Sequence, residues 1–145
     1  MLTLDCEFNG HGGRLISMAL VSDDGDEFYE VLPWAHHSDT VPWVMENVLP
    51  VLNKYSIEQN VFREKLWDFL RKHTGELIIA DSPADFVYLL EQCHMLDENE
   101  KYQYINLDIS MQFRISGIYT SKIPHNALED ARALLGSIKT TQIPS

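Results

Sequence analysis

Four acids and one histidine are the residues of this chain whose types and spacing most suggest chemistry, and the first two acids stand close together. Asp5 and Glu7 are two residues apart in the apolar segment 1–8, which predicts a β-strand, so their carboxylates project from the same face. Two like charges on one strand face repel each other, and burying them is unfavourable. This spacing indicates either a solvated edge strand or a site at which a cation binds.

The third acid, Asp85, stands near the start of a helix that we predict over residues 83–93. It follows the continuous apolar run 77–80, which is typical of a strand buried on both faces. An acid in the first turn complements the helix dipole, and this is the structural explanation for Asp85. Asp81, four residues earlier at the end of the strand, is explained in the same way as a cap or turn residue.

The fourth acid and the histidine stand at the start of the last predicted helix, which covers residues 126–139. His125 precedes this helix and Asp130 follows its start, so a loop histidine and a solvated helical acid are the structural alternatives. Ala127 and Ala131 are small, however, and we therefore expect this end of the helix to pack closely against other structure.

Taken in order, these residues resemble the three sequence motifs of the DEDDh family of 3′→5′ exonucleases, which have the ribonuclease H-like fold. The motifs as they stand here are Asp5-x-Glu7, Asp85 followed by Leu89, and His125-x-Ala127-x-x-Asp130. The turn that follows the first motif is similar to its usual sequel in that family: Phe8-Asn9-Gly10. A middle segment resembles the small bacterial and phage exoribonucleases of the RNase AS type: Trp43-Val44-x-Glu46-Asn47-Val48-Leu49-Pro50. The resemblance covers nearly the whole chain.

This resemblance implies a metal-dependent catalytic site. The residues that would hold two divalent cations, Mg²⁺ or Mn²⁺, are Asp5, Glu7, Asp85 and Asp130. Hard cations of this kind prefer carboxylate oxygens. His125 would be the general base on the attacking water, a role that suits an imidazole with an ordinary pKa of about 6.5. Many relatives carry Asn where Asp81 stands here, so we take Asp85 as the ligand of the second motif.

The charge of the chain limits how it could bind a substrate. It has 22 acids against 11 lysines and arginines, whereas proteins that grip long nucleic acids are usually basic. We therefore expect it to bind a short 3′ end, with the cations carrying the positive charge. Lys122 and Arg132 flank the third motif and are candidates for phosphate contacts, and Phe8 and His11 are candidates for stacking on the terminal base. A surface or packing role is the alternative for all four residues.

The remaining pattern predicts one α/β domain over residues 1–145, in which a mixed sheet is flanked by helices. Short turns join the first three strands into an antiparallel meander, and parallel strands follow. The expected strands are 1–8, 14–22, 27–32, 77–80 and 104–107. The expected helices with defined ranges are 43–55, 83–93 and 126–139. A further helix is expected between Ser56, as its N-cap, and Gly75, which would end it. The resemblance identifies this layout as ribonuclease H-like.

Other features bear on location and partners. The N-terminal residues lack the basic and apolar regions of a signal peptide, and the longest apolar runs are too short to cross a membrane. Cys6 and Cys93 form no C-x-x-C motif and are expected to be reduced thiols. We therefore expect a cytoplasmic protein without membrane contact. Trp34, Trp43 and Trp67 are expected in the core or at an interface, and the resemblance implies that a homodimer is possible.

Three hypotheses about function stay open on the sequence. The resemblance favours a 3′→5′ exonuclease that acts on single-stranded RNA rather than DNA, a choice that the residues themselves do not make. The same site acting on a shorter substrate would be a phosphodiesterase of small dinucleotides. A module that binds nucleic-acid ends or a protein without catalysis is the third hypothesis, but such a module has no need to gather four acids.

Overall fold

The computed structural model describes residues 1–36, 38–114 and 119–141, without the side chains of residues 35, 36 and 141. The strands in these ranges are β1 (Leu2–Phe8), β2 (Leu15–Ser22), β3 (Glu27–Val31), β4 (Leu77–Ala80), β5 (His94–Leu96), β6 (Tyr102–Tyr104) and β7 (Ser110–Phe113). The α-helices in the same ranges are α1 (Pro42–Asn47), α2 (Gln59–Lys72), α3 (Pro83–Gln92) and α4 (Ala127–Thr141).

A five-stranded mixed sheet organises the fold, with its strands in the order β3-β2-β1-β4-β7. β1, β2 and β3 pair antiparallel, which confirms the predicted meander. β4 runs parallel to β1, and β7 runs parallel to β4. β5 and β6 form a separate antiparallel hairpin. The chain therefore has the α/β class and the mixed sheet that the sequence predicts, and β1 lies at the centre of the sheet.

Helices cover both faces of this sheet, because successive strand residues point to opposite sides. On one face, Leu4 of β1 packs in a core with Phe62 of α2 and Leu89 of α3. On the other face, Ala19 of β2 packs with α4, whose small buried residues at this contact are Ala127 and Ala131. The two layers bury β1 on both sides, and α4 approaches the sheet as closely as its alanines predict.

The predicted helix 43–55 is wrong in its second half. α1 ends at Asn47, and a 3₁₀ turn, Leu49–Val51, follows it. Pro50 explains the break, because proline has no N–H to donate to the preceding turn and its ring clashes there. Asn53 then takes a left-handed conformation, with φ of 55°.

The predicted ends of the second helix are also wrong. Ser56 does not cap it; this residue forms an isolated bridge with Val31, and Glu58 stands at the N-cap position without a side-chain capping bond. α2 ends at Lys72, and Gly75 lies three residues further on, in the turn before β4, with φ of 81°. Ser56 pairs with the edge of β3 two residues before the N-cap position, so its side chain is not at the start of the helix.

The predicted strand 104–107 is misplaced. Tyr104 ends the hairpin strand β6, and the fifth strand of the main sheet is β7. β7 lies at the edge of the sheet, and its four residues are all exposed. Ser110 and Gln112 alternate with apolar residues there, so this short strand lacks the continuous apolar run that marks β4.

Three local expectations remain. The sequence predicts a loop at His36–His37; His36 ends a 3₁₀ turn, Pro33–His36, and His37 lies outside the described residues. Cys6 and Cys93 are both free thiols, as expected, and both are buried. A search of the described residues finds no helix that is both long enough and apolar enough to cross a membrane.

Candidate active site

The candidate site lies beyond the point at which β1 and β4 stop pairing. Their pairing ends at Thr3 and Ile79, although β1 continues for several residues. In open α/β sheets, ligand sites form in the crevice outside the carboxyl ends of the strands. Asp5 and Glu7 lie in the part of β1 that extends beyond its pairing with β4, and Asp81 directly follows β4. The end of the sheet therefore presents three acids to one region.

The alternation of β1 gives Thr3, Asp5 and Glu7 the same face, the one that α4 covers. Thr3 Oγ1 donates a hydrogen bond of 2.8 Å to the main-chain carbonyl of Ala131, in the second turn of α4. Ala131 is fully buried at this contact. This close approach holds the start of α4 beside the two acids of β1.

Asp85 lies in the first turn of α3 and is only 2% exposed. Its Oδ1 accepts a hydrogen bond of 3.2 Å from the main-chain N–H of Cys6, the residue between Asp5 and Glu7. Its Oδ2 is also buried and has no hydrogen-bond partner among the described residues. A favourable interaction with the helix dipole does not require burial. The helix dipole therefore does not explain why Asp85 is buried with an unpaired oxygen.

The third motif shapes the loop before α4. His125 takes a left-handed conformation, with φ of 69°, and its main-chain N–H donates a hydrogen bond of 3.1 Å to Oδ2 of Asp130. Asn126 Oδ1 accepts a hydrogen bond of 3.0 Å from the N–H of Glu129, as an N-cap side chain does. Its Nδ2 donates to the carbonyl of Val51 at 2.7 Å. These bonds fix the histidine and the acid relative to each other.

The motif residues form two groups of possible ligand atoms, and within each group the atoms lie within 4.8 Å of one another. The first group is Glu7, His125 and Asp130. The second group is Asp5, Asp81 and Asp85. The structure therefore brings each of the five sequence-predicted site residues next to another motif residue. It also adds Asp81, for which a cap or turn role is an incomplete explanation.

Burial raises the pKa of four acids of this site, and the charges of neighbouring acids add to the effect. Burial, reinforced by the charges of Glu7 and Asp85, raises the pKa of Asp5 well above its ordinary value. Burial raises the pKa of Glu7 to about 8, with a further increase from Asp130. Burial and the neighbouring Asp81 raise the pKa of Asp85 to about 7. Burial also raises the pKa of Asp130. A nearby cation would offset this repulsion and favour the charged forms.

A pocket of about 470 Å³ opens beside Glu7. Phe8 and His11, the two candidates for base stacking, both line it, together with Trp43. The ring of Phe8 stacks on Tyr88 with 4.8 Å between the centroids, so one of its faces is already in contact with the protein. The pocket therefore offers an aromatic wall directly next to Glu7.

Trp43 is a further aromatic residue of this pocket, although the sequence predicts it in the core or at an interface. It is 53% exposed, and its ring meets the His125 ring edge-on with 4.9 Å between the centroids. Trp34 and Trp67, by contrast, are partly buried and donate their indole N–H groups to main-chain carbonyls. The available signal in the sequence was the place of Trp43 at the start of the segment that resembles the RNase AS-type exoribonucleases.

The two candidates for phosphate contacts differ in their surroundings. Both line a cleft of about 230 Å³ beside Glu129. Arg132 already donates to both carboxylate oxygens of Glu27, at 2.6 and 2.7 Å, and pairs with Glu129 as well. Lys122 is exposed. Because Arg132 ties α4 to β3, Lys122 is the better placed of the two to reach a phosphate.

Tyr119 is a second residue at the site that no sequence pattern indicates. Its hydroxyl donates a hydrogen bond to Oδ2 of Asp81. The two residues are separated by 38 positions, so no local pattern links them. This contact connects the acid that follows β4 to the segment before the third motif.

No protein-family model and no curated protein sequence matches this chain. Its function is therefore inferred from the chemistry of the site and from the motif resemblance. The two grouped sets of ligand atoms and the adjoining pocket are the features that any proposed function has to explain.

Proposed function

We propose that this chain is a 3′→5′ exonuclease of the DEDDh kind that releases nucleoside 5′-monophosphates from nucleic-acid ends. Single-stranded RNA is the favoured substrate, and two divalent cations, Mg²⁺ or Mn²⁺, are the cofactors. The observation that carries the proposal is the convergence of four acids and a histidine from three separate segments at one end of the sheet. These residues are Asp5, Glu7, Asp85, His125 and Asp130.

The topology supports the ribonuclease H-like fold that the motifs imply. An antiparallel meander, β1 to β3, is followed by the parallel strands β4 and β7, with helices on both faces. The first motif lies on the central strand, and the other two lie at the starts of α3 and α4. Because one fold serves many functions, the acids rather than the topology support the activity.

Carboxylate oxygens that the protein leaves unpaired support cation binding. Oδ2 of Asp5 and Oδ2 of Asp85 are buried without a hydrogen-bond partner in the part of the chain that the structure describes. Buried oxygens of this kind are unfavourable unless something binds them, and hard divalent cations prefer carboxylates. The residues that would hold the cations are Asp5, Glu7, Asp85 and Asp130. Divalent cations in such a site supply an activated water and offset charge on the phosphate.

His125 is the residue of this chain that would take the proton of the attacking water. A ring nitrogen of His125 lies within 4.8 Å of carboxylate oxygens of Glu7 and Asp130. The imidazole is therefore next to the acids that would hold the cations. The hydrogen bond from its own N–H to Asp130 and the ring contact with Trp43 restrict where the imidazole can turn. A positioned imidazole contributes about 10²- to 10⁴-fold as a general base.

The pocket and the charge of the chain support a short nucleic-acid end as the substrate. Phe8, His11 and Trp43 provide a wall on which the terminal base could stack, next to Glu7. A net charge of −11 disfavours extended phosphate contacts, which need many lysines and arginines. Lys122 remains available for a single contact. The preference for RNA over DNA rests on the motif resemblance.

The proposal is tested with Glu7→Gln, Asp130→Asn and His125→Ala variants and a single-stranded oligoribonucleotide in Mn²⁺. Glu64→Gln and Asp68→Asn are matched controls, because both change an exposed acid of α2. We expect the three site variants to lose hydrolysis while their circular dichroism stays unchanged, and the two controls to hydrolyse as the unchanged protein does.

Full turnover by a correctly folded Glu7→Gln or Asp130→Asn variant would contradict the proposal. A matched assay with dinucleotides separates the exonuclease from a phosphodiesterase of small dinucleotides, which would hydrolyse only the short substrate. Binding of the oligonucleotide without hydrolysis in Mn²⁺ or Mg²⁺ would instead indicate a non-catalytic module.

A further inference from the structure

We propose that Asp81 is a fifth carboxylate ligand of the cation site and that Tyr119 is its positioning residue. This inference rests on the proposed two-cation function and extends it to residues outside the three motifs. The motif resemblance indicates Asp85, in place of Asp81, as the ligand of this segment. The geometry points to both acids acting together.

The position of Asp81 follows from the sheet. It is the first residue after β4, the strand that runs parallel to β1, so it leaves the sheet on the same side as Asp5. Asp85 returns to this point from the first turn of α3. Ligand atoms of these three aspartates lie within 4.8 Å of one another, a spacing that a single cation can bridge.

A second observation separates this group from an ordinary acidic cluster. Asp85 is 2% exposed, and its Oδ2 has no hydrogen-bond partner among the residues that the structure describes. Oδ2 of Asp5 is buried and unpartnered in the same way. A solvated cluster would turn these oxygens towards water, whereas here two of the three aspartates keep an unpaired oxygen inside the protein.

Tyr119 gives Asp81 a fixed orientation. Its hydroxyl donates to Oδ2 of Asp81, and Tyr119 is half-buried. A carboxylate has two oxygens, so a hydrogen bond to one of them is compatible with a cation contact at the other. Groups that hold a metal ligand in this way typically change metal affinity about 10- to 100-fold when they are removed.

Asp81 also changes the charge of the site. An aspartate adds a negative charge that an asparagine at the same position does not have. With Asp81, five carboxylates surround the proposed cations. We therefore expect tighter cation binding than with asparagine at this position, in the absence of any nucleic acid.

The test is a calorimetric titration of Mn²⁺ into protein stripped with EDTA and desalted, without substrate. The variants are Asp81→Asn, Tyr119→Phe and Asp85→Asn, and Asp68→Asn on the exposed face of α2 is the control. We expect Tyr119→Phe to raise the Kd for Mn²⁺ by about 10-fold or more and Asp81→Asn to raise it by at least as much. Asp68→Asn should leave it unchanged.

Thermal midpoints distinguish a ligand from a structural residue. Removing one of several mutually repelling acids should leave the midpoint in EDTA unchanged or higher, while the rise that Mn²⁺ produces becomes smaller. An Asp81→Asn variant with a lower midpoint in EDTA and the full rise with Mn²⁺ would overturn the inference and make Asp81 structural.

The failure of this inference differs from the failure of the proposed function. If Asp81→Asn binds Mn²⁺ as the unchanged protein does while Asp85→Asn does not, Asp81 is not a ligand and the two-cation site stands without it. If the unchanged protein binds no Mn²⁺, both the inference and the proposed function are wrong.

Discussion

The main-chain N–H of Cys6 donates a hydrogen bond of 3.2 Å to Oδ1 of Asp85, and this bond joins the first two motifs. Cys6 lies between Asp5 and Glu7 on β1, whereas Asp85 lies in the first turn of α3. The bond uses one carboxylate oxygen for structure and leaves the other, Oδ2, buried and unpaired among the described residues. Asp85 therefore has a structural contact and a candidate cation contact on separate atoms.

These two contacts predict different effects for two substitutions of Asp85. Asp85→Asn keeps an oxygen that can accept from Cys6, so the fold should be retained while hydrolysis is lost. Asp85→Ala leaves the buried N–H unsatisfied and should lower the free energy of unfolding by a further ~1–3 kcal/mol. Urea denaturation in EDTA measures this difference. Equal stability of the two variants would show that the hydrogen bond between Cys6 and Asp85 does not stabilise the fold.

The raised pKa values predict how the stability of the cation-free protein depends on pH. The folded pKa is about 8 for Glu7 and about 7 for Asp85, against about 4 for such acids in an unfolded chain. Between pH 4 and pH 8 the folded state therefore binds more protons, so its free energy of unfolding falls as pH rises. Urea denaturation in EDTA at pH 5 and pH 8 should show this loss.

Two variants assign that pH dependence to the site. Glu7→Gln or Asp85→Asn should flatten the fall in stability between pH 5 and pH 8, whereas the exposed control Glu64→Gln should keep the slope of the unchanged protein. Added Mn²⁺ should raise stability more at pH 8 than at pH 5, because deprotonated carboxylates are its ligands. If neither site variant changes the fall of the free energy of unfolding between pH 5 and pH 8, these acids do not cause it.

A separate pH effect is expected from His73, at the end of α2. Burial alone would lower its pKa, but hydrogen bonds to Asp26 and Glu76 raise the pKa above the ordinary value. Its stabilising contribution should be complete below about pH 6.5 and should fade as pH rises through the raised value. His73→Gln should lower the free energy of unfolding by ~1.5–3 kcal/mol at pH 6 and by less at pH 9. The same loss at both pH values would contradict this assignment.

Trp43 should affect the use of substrate through the pocket beside Glu7. Losing an aromatic surface that stacks on a base is worth ~1–3 kcal/mol, so Trp43→Ala should lower kcat/KM by about 5- to 150-fold. Steady-state hydrolysis of a short oligoribonucleotide measures this change. Tyr55→Ala is the control, because Tyr55 is an aromatic residue that is 95% exposed and lies outside this pocket. Equal effects of the two variants would argue against a base at Trp43.

The sequence predicts best those features that depend on local pattern. Apolar segments bounded by turn residues predict β1 to β3, and the continuous apolar run predicts β4, because such signals lie within a few residues. The helix 43–55 fails at Pro50, where one residue outweighs an apolar pattern of helical spacing. β7 escapes prediction because it is a short, exposed edge strand whose partner, β4, lies some thirty residues earlier along the chain.

The same distinction applies to the candidate site. Asp5, Glu7, Asp85, His125 and Asp130 stand in recognisable motifs, so a sequence can indicate them. The contacts of other residues depend on segments far apart along the chain, and only the folded structure brings those segments together. Such contacts join Asp81 to Tyr119, Trp43 to His125, and Arg132 to Glu27.

The most direct measurement of the central claim is a time course with a 5′-labelled single-stranded oligoribonucleotide and its DNA counterpart. Each strand is incubated with Mn²⁺, Mg²⁺ or excess EDTA. We expect a ladder that shortens one nucleotide at a time from the 3′ end with metal and not with EDTA, and that advances faster on RNA. An intact strand under every metal condition, or equal cleavage in EDTA, would contradict a metal-dependent 3′→5′ exonuclease.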